Sequence, residues 1–425
     1  MSYVPQFPTE PQPGTAYNPS GAPPPGQAPP TGAPPQEPAV PYPPGYGPGP
    51  TLPEPQVAPQ SSYGAYPPPP LQQYYPPNPQ LVLPTLQYMG LVVPNPHAPP
   101  LPYGVAKVPG YDPAPDAESV RKATKGFGTN DELLIKTLTK IGILQMDALA
   151  DYYVTKYGKR LVDLLDSETS SYFGMGIHAL ATGPLAWDIE LLHKALDGVG
   201  TNEDLLTEIL LGRTNEDVYR LTVGYKSKYG VDLAVKIKGD LSGKTEKLYL
   251  IALNANRPPD TAPVDQVAVN KDIDVLFEAS QKRNDKDEMA FFDIILTRSN
   301  PHLSAVIDGY GKKYRSLTKV VKATFSGHTR DSLLYVVEGV KPKRDGKGIW
   351  RDAKLIDKAM VGFGTRDNEL VWRIVRAHWD PRRMAAIKEA YHRRTRKILE
   401  DRVGKETSGS YKKLMLALIE GHVKG

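Results

Sequence analysis

Cysteine is absent from all 425 positions. That excludes a disulfide framework, cysteine-based zinc sites and thiol catalysis, and it fits a reducing, cytoplasmic compartment. Long apolar runs are missing too. No stretch approaches the roughly 20 residues needed to cross a bilayer as a helix, so any membrane role is expected to be peripheral. The opening Met1-Ser2-Tyr3-Val4-Pro5 has no basic segment and no apolar one, and no secretory signal is expected. Basic residues are nearly missing from the N-terminal part: residues 1–116 hold one, Lys107, against Glu10, Glu37, Glu54, Asp112 and Asp116. The remaining 51 bases face 42 acids in 117–425, a net +9. A basic remainder suggests an anionic partner, lipid or nucleic acid, although a mildly basic soluble surface accounts for it equally well.

What the N-terminal part does have is proline. Of the 44 prolines, 37 lie in 1–116, interleaved with Gly, Ala, Gln and Tyr, as in Pro41-Tyr42-Pro43-Pro44-Gly45-Tyr46-Gly47. Proline lacks the N–H donor and fixes φ, so helices are excluded there. Few large aliphatics offset the ordering entropy, and residues 1–115 are expected to be a disordered tail with local polyproline II. Residues 81–106 are more apolar (Leu81, Val82, Leu83, Leu91, Val92, Val93), but Pro84, Pro94 and Pro96 interrupt them. A docking segment fits that stretch; a long helix does not.

From about Asp116 the texture changes. Apolar residues recur at helical spacing, as in Leu133, Leu134, Leu138 and Ile141, and strand-like alternation is scarce. The folded part reads as all-α.

Self-comparison reveals a repeat. A Gly-x-Gly-Thr turn occurs at Gly126–Thr129, Gly198–Thr201 and Gly362–Thr365, each followed by apolar residues at helical spacing: Leu134 and Leu138, Leu206 and Ile209, Leu370 and Ile374. Thr129 and Thr201 are 72 apart, while Thr201 and Thr365 are 164 apart, so one turn is missing between them. A second marker, Ser-Gly before an apolar helix, fills the gap: Ser242-Gly243, Ser326-Gly327 and Ser408-Gly409, with Ser170-Ser171 in the first unit. Four units follow, at 116–184, 185–256, 269–343 and 350–423. The segment 257–268, with Arg257-Pro258-Pro259, reads as a linker dividing the core into two pairs.

The turns carry the chemistry. Thr129, with Glu132 three residues on, reads as a capping box; Thr201 with Asp204 and Thr365 with Asn368 are weaker versions. The glycines then sit in the loop just before a helix. Glycine permits φ > 0 there and lets carbonyl oxygens turn outward, as hard ligands suited to Ca²⁺. Neutral carbonyls bind a divalent ion poorly, so a carboxylate is needed. Glu168 lies 40 residues after Gly128, Asp240 lies 40 after Gly200, and Glu406 lies 42 after Gly364. The last spacing requires a two-residue insertion, expected around Ala377-His378-Trp379-Asp380-Pro381. In the third unit Arg283 and Asp285 replace the glycines and Thr324 replaces the acid, so no equivalent site is expected there. Asp285 and Asp287 read as part of a solvated charged loop.

These residues resemble the annexin family over 117–425, and the long tail with a degenerate third unit is similar to fungal annexins. The resemblance implies four repeats of about five helices each, forming a curved disc with calcium loops on its convex face. It also implies calcium sites built from the carbonyl before each turn, both glycine carbonyls and the distant acid. Carried over, these are Thr124, Gly126, Gly128 and Glu168; Leu196, Gly198, Gly200 and Asp240; and Met360, Gly362, Gly364 and Glu406. Ca²⁺ favours six to eight oxygens, so such a set leaves positions for water or a lipid phosphate. The expected function is calcium-dependent binding to acidic phospholipid membranes, from the cytoplasm when calcium rises. Phe127, Val199 and Phe363, between the paired glycines, are expected to enter the lipid interface; packing against a neighbouring loop is the alternative. A different reading makes the Pro-rich tail the working part, a scaffold or condensate former that recruits protein partners. An ion-conducting assembly would need buried charges at the centre of the repeats.

Other motifs carry less. Gly239-Asp240-Leu241-Ser242-Gly243-Lys244-Thr245 is one residue short of a phosphate loop and no strand precedes it. Asn284-Asp285-Lys286-Asp287-Glu288 lacks the EF-hand order. The eight histidines form no zinc pattern. The run Tyr391-His392-Arg393-Arg394-Thr395-Arg396-Lys397 reads first as a solvated helix face, with contact to nucleic acid or lipid headgroups as the alternative, and no specific nucleic acid is expected. No nucleophile–base pair is visible, so no enzymatic activity is expected.

Overall fold

The computed structural model describes residues 84–99, 107–198, 200–281 and 287–421. Most of the tail, Val199, Arg283 and Asp285 lie outside them. Among the described residues are twenty helices and one two-stranded hairpin.

The helices fall into four sets of five. The first is α1 (Ala114–Ala123), α2 (Asp131–Leu138), α3 (Ile143–Tyr157), α4 (Leu161–Glu168) and α5 (Ser171–Thr182). The second is α6 (Pro184–Leu196), α7 (Glu203–Leu210), α8 (Asn215–Tyr229), α9 (Leu233–Asp240) and α10 (Gly243–Leu253). The third is α11 (Gln266–Gln281), α12 (Glu288–Thr297), α13 (Asn300–Lys313), α14 (Leu317–Thr324) and α15 (Gly327–Gly339). The fourth is α16 (Ile349–Ala359), α17 (Asp367–His378), α18 (Pro381–Thr395), α19 (Leu399–Glu406) and α20 (Gly409–Glu420).

The same local chemistry builds each set. The helix after the Ser-Gly marker starts on an extended serine, Ser170, Ser242, Ser326 or Ser408, and its next residue has φ near +60°. That residue is glycine in three units and Ser171 in the first. Close helix crossings recur as well. A Cβ on Gly224 would meet Ile189 Cδ1 at 2.3 Å, and one on Gly309 would meet Ile273 Cδ1 at 2.5 Å. Helices α8 and α13 therefore approach α6 and α11 closely, and a side chain at either glycine would have to displace the Ile189 or Ile273 terminus.

Packing does not follow chain order. Helices α2 and α5 of the first unit pack on α17 and α20 of the fourth, while α7 and α10 of the second pack on α12 and α15 of the third. The linker expected to divide two pairs thus joins two units of one packed pair. It is also pinned: Arg257 donates to Arg298 O at 3.0 Å, Arg213 O at 2.7 Å and Asn300 Oδ1 at 2.8 Å. One apolar core runs from Leu86 and Tyr88 through all four units to Ile419.

Charged groups are buried where units meet. Glu208 on α7 pairs with Arg373 on α17, and the Trp372 indole donates to Glu208 Oε2 at 3.3 Å. Buried charges of the kind an ion path would require are therefore present between the second and fourth units, bonded to one another.

The hairpin lies in a stretch assigned to the tail. Strand β1 (Thr85–Tyr88) pairs antiparallel with β2 (Leu91–Pro94), with Leu86 opposite Val93. It packs on α3 and α8. Proline at the end of β2 is tolerated because a two-strand ribbon consists of edges. Residues 84–99 are thus a docked element, in keeping with the apolar character of 81–106, and among the described residues the hairpin is the one exception to the all-α reading.

Candidate functional site

Three loops join the first helix of a unit to the second. In each, Ala123 O, Ala195 O or Ala359 O accepts the N–H of Asn130, Asn202 or Arg366 at 2.8 Å, closing the loop at its base. The paired glycines take φ of +114° and +81° at Gly126 and Gly128, +95° and +83° at Gly198 and Gly200, and +115° and +81° at Gly362 and Gly364. These values belong to glycine, so the sequence requirement is a main-chain one. Thr124 and Met360 end the preceding helices as their C-caps, and Leu196 is the last residue of α6.

The threonine of each turn does not cap the next helix. Asn130 and Asn202, one residue later, accept from Leu133 N at 3.0 Å and Leu205 N at 3.1 Å, while Arg366 offers no side-chain cap. Glu132 pairs with Lys413 on α20 instead of closing a capping box. The freed hydroxyl reaches across the unit to the distant acid. Thr129 Oγ1 donates to Glu168 O at 2.9 Å and Oε2 at 3.1 Å, and Thr365 Oγ1 to Glu406 Oε2 at 2.8 Å. Thr201 makes a longer contact, 3.5 Å, to Asp240 O. Adjacent Thr and Asn are both competent caps, so sequence alone does not separate them. Only the 39-to-41-residue offset from Thr to acid hints at the contact.

The two extra residues of the fourth unit lie before Pro381, where α17 runs for 12 residues against 8 in α2 and α7. The third unit differs. Asp287 caps α12 by accepting from Ala290 N at 3.1 Å, and Thr324 closes α14. Arg283 and Asp285, which stand at the glycine positions, are outside the described residues, as is Val199.

The tips of two loops are bare. Phe127 and Phe363 are each 111% exposed, and Val361 is 61% exposed. Solvated aromatic rings in that position pack against no neighbouring loop. One turn before each acid the units diverge: Leu164 precedes Glu168, Lys236 Nζ lies 3.4 Å from Asp240 Oδ2, and Arg402 Nη2 lies 2.9 Å from Glu406 Oε1. Among the described residues no three or more His, Asp or Glu side chains gather as a metal group. A cation at these loops would draw most of its oxygens from the main chain, and hard carbonyl and carboxylate oxygens are the donor set that Ca²⁺ favours. Among the described residues no helix is long and apolar enough to cross a membrane.

Comparison with known proteins fits this geometry. A family model described as Annexin matches residues 115–180, 188–252, 271–336 and 351–418. Annexin C1 of Cryptococcus neoformans is 39% identical over 398 residues, covering 88% of this chain and 83% of its own. Among solved structures, the K16A mutant of annexin A8 matches with a TM-score of 0.69 at 32% identity, over 74% of this chain and 97% of that one. A calcium-bound annexin (Sm)1 matches with a TM-score of 0.62 at 22% identity, over 73% of this chain and 91% of that one, a likeness of fold.

Proposed function

Because this chain belongs to the annexin family, whose members generally bind phospholipid in a calcium-dependent manner, we propose that it docks on acidic phospholipid surfaces through the three glycine loops. The first would use the carbonyls of Thr124, Gly126 and Gly128 with Glu168. The second would use Leu196, Gly198 and Gly200 with Asp240. The fourth unit would use Met360, Gly362 and Gly364 with Glu406.

The observation that carries this reading is the hydroxyl tie. Thr129 and Thr365 hold an acid from a distant helix against the glycine turn. Ordering both parts beforehand reduces the entropy lost when oxygens gather around a cation. Positive φ at both glycines is the conformation in which successive carbonyls can leave the helical direction. Calcium, when bound, supplies the positive charge that the loop oxygens share with a lipid phosphate. Phe127 and Phe363, standing clear of the fold, would reach the interface beside it. By linkage, lipid must raise calcium affinity by the factor that calcium raises lipid affinity. The chain would thus be a peripheral, non-enzymatic membrane binder that moves from cytosol to membrane as calcium rises. The Pro/Gly/Tyr composition of the tail supports a separable role in recruiting protein partners.

The test is co-sedimentation with phosphatidylserine liposomes across a calcium titration, with Glu168→Gln and Asp240→Asn alongside. Calcium-dependent pelleting is expected, and the double variant, which keeps only the fourth loop, should need more calcium to pellet. A folded chain that stays in the supernatant at millimolar calcium would overturn the reading.

A further inference from the structure

The three loops share an architecture but differ at the residue one helical turn before the acid. In the first loop that residue is Leu164, which carries no charge and no donor. In the second it is Lys236, whose ammonium lies 3.4 Å from Asp240. In the fourth unit it is Arg402, and its guanidinium does more than touch the acid. Nη2 lies 2.9 Å from Glu406 Oε1 and also donates to Met360 O. Those two oxygens belong to opposite sides of the proposed calcium set, one from the helix end before the turn and one from α19. The other oxygen of Glu406 accepts from Thr365 at 2.8 Å.

We propose that Arg402 is a built-in cation of the fourth calcium loop, which calcium must displace before that loop can act. The inference rests on the membrane-binding reading above and deepens it by ranking the sites. Arginine carries its charge at every accessible pH, and its planar fork can bridge a carboxylate and a carbonyl at once. Calcium therefore meets a carboxylate that is already neutralised and a carbonyl with one of its two lone pairs in use. The guanidinium, a like charge held at the same oxygens, must leave before calcium takes its place, so the apparent affinity of the loop falls by the stability of the Arg402 contacts. Lys236 makes the milder version of the same contact, with the acid alone, and Leu164 makes none. The order of calcium affinity is first loop, then second, then fourth.

The displaced side chain has somewhere to go. A surface cavity of about 360 Å³ beside the loop is lined by Asp357, Val361, Arg394, Thr395, Lys397 and Arg402. Arg402 already borders it, so the side chain can turn from the loop without leaving this open space. The staggered affinities would spread the response of one chain over a wider calcium range than three equal sites could.

The test is calcium calorimetry on the full chain. Glu168→Gln with Asp240→Asn leaves the fourth loop as the remaining site, and Arg402→Leu is added to that background, copying the first loop. A dissociation constant about tenfold lower is expected with leucine, the effect of removing one or two charge-assisted hydrogen bonds. Adding Glu406→Gln should then abolish the binding. The reciprocal change, Leu164→Arg in an Asp240→Asn, Glu406→Gln background, should weaken the first loop by a similar factor, and it stands if Arg402→Leu fails to fold. Unchanged or weaker binding after Arg402→Leu, with the helical circular dichroism intact, would overturn this inference and leave the membrane reading standing. A wild-type chain that binds no calcium would overturn both.

Discussion

The Tyr88 hydroxyl donates to Asp188 Oδ2 at 2.6 Å, joining the hairpin to the second helical unit across 100 residues of chain. Both side chains are fully buried, Arg376 Nη2 lies 3.3 Å from the same oxygen, and the neighbouring Met89 N–H donates to Asp217 Oδ1 at 2.7 Å. Burial pushes the Asp188 carboxyl up to about 6, against the pull of Arg213 and of the Tyr88 hydrogen bond. Asp188 Oδ1 has no hydrogen-bond partner among the described residues. Tyr88→Phe should therefore leave a buried carboxylate short of another donor and destabilise the fold by about 1–3 kcal/mol. A carboxyl raised in the folded state favours folding below its ordinary value of 3.8 and loses that contribution as pH rises through about 6. The penalty of Tyr88→Phe should thus be larger near about pH 7.5, where the charged form must be held, than near about pH 5. Urea unfolding midpoints at the two pH values measure it. Equal midpoints for the two proteins would mean the hairpin contributes nothing through this bond.

A histidine ties the first unit to the second. His178 on α5 lies between Asp166, 2.8 Å from Nδ1, and Glu190 of α6, 2.6 Å from Nε2, and Lys228 also reaches Glu190 at 2.6 Å. The hydrogen bond with Glu190 is the main cause that raises His178 above its ordinary 6.5, with burial opposing. Burial works to raise Glu190, but the bonds from His178 and Lys228 hold it below 4.5. The histidine contribution is complete below 6.5 and is lost as pH rises through the raised folded value. The glutamate contribution is complete above 4.5 and is lost as pH falls through the depressed one. The link is strongest between those limits. His178→Gln should lower the melting temperature more at about pH 5.5 than at about pH 8.5; an equal drop at both would show that the bridge is not charged.

Ser171 has φ of +58° where the other three units place Gly243, Gly327 and Gly409 at +60°, +56° and +57°. A side chain in this region costs roughly 1–2 kcal/mol, and the extra chain entropy of glycine offsets part of the relief. Ser171→Gly should stabilise the chain by about 0.5–1 kcal/mol in urea unfolding. A destabilised variant would mean that the serine makes a compensating contact.

The Ser-Gly and Gly-x-Gly-Thr markers were legible because main-chain conformation dictates their residue types. Positive φ at Gly126 admits little but glycine, that at Gly409 favours it with Ser171 as the first unit's exception, and a repeated demand leaves a repeated letter. Contacts made by side chains over long distances left no such trace. The hairpin is held by Asp188, Asp217 and Arg376, all remote in sequence, and its prolines read locally as tail. The pairing of the first unit with the fourth depends on how helix faces match across the core, which spacing along the chain does not encode. Arg402 and Glu406, four apart on a helix, have the pattern of an ordinary solvated pair; only Met360 O beside them distinguishes it.

Phe127 and Phe363 stand at the tips of their loops with 111% of reference exposure each. Rings so placed add nothing to the packing of the fold, so their removal should leave the unfolding midpoint unchanged. At a lipid interface the same rings would leave water. Complete burial of a phenylalanine is favourable by about 1.5–3 kcal/mol, and shallow insertion should realise roughly half of that. Phe127→Ala with Phe363→Ala should therefore weaken binding to phosphatidylserine liposomes by about tenfold or more at saturating calcium, with each single change giving a smaller loss. Calcium bound in the absence of lipid should not change, because no proposed ligand is a phenylalanine side-chain atom. The contrast separates insertion from a disturbed loop. If liposome affinity holds in the double variant, the rings stay in water and the loop oxygens alone make the contact; if calcium binding without lipid falls as well, the substitutions have altered the turns themselves.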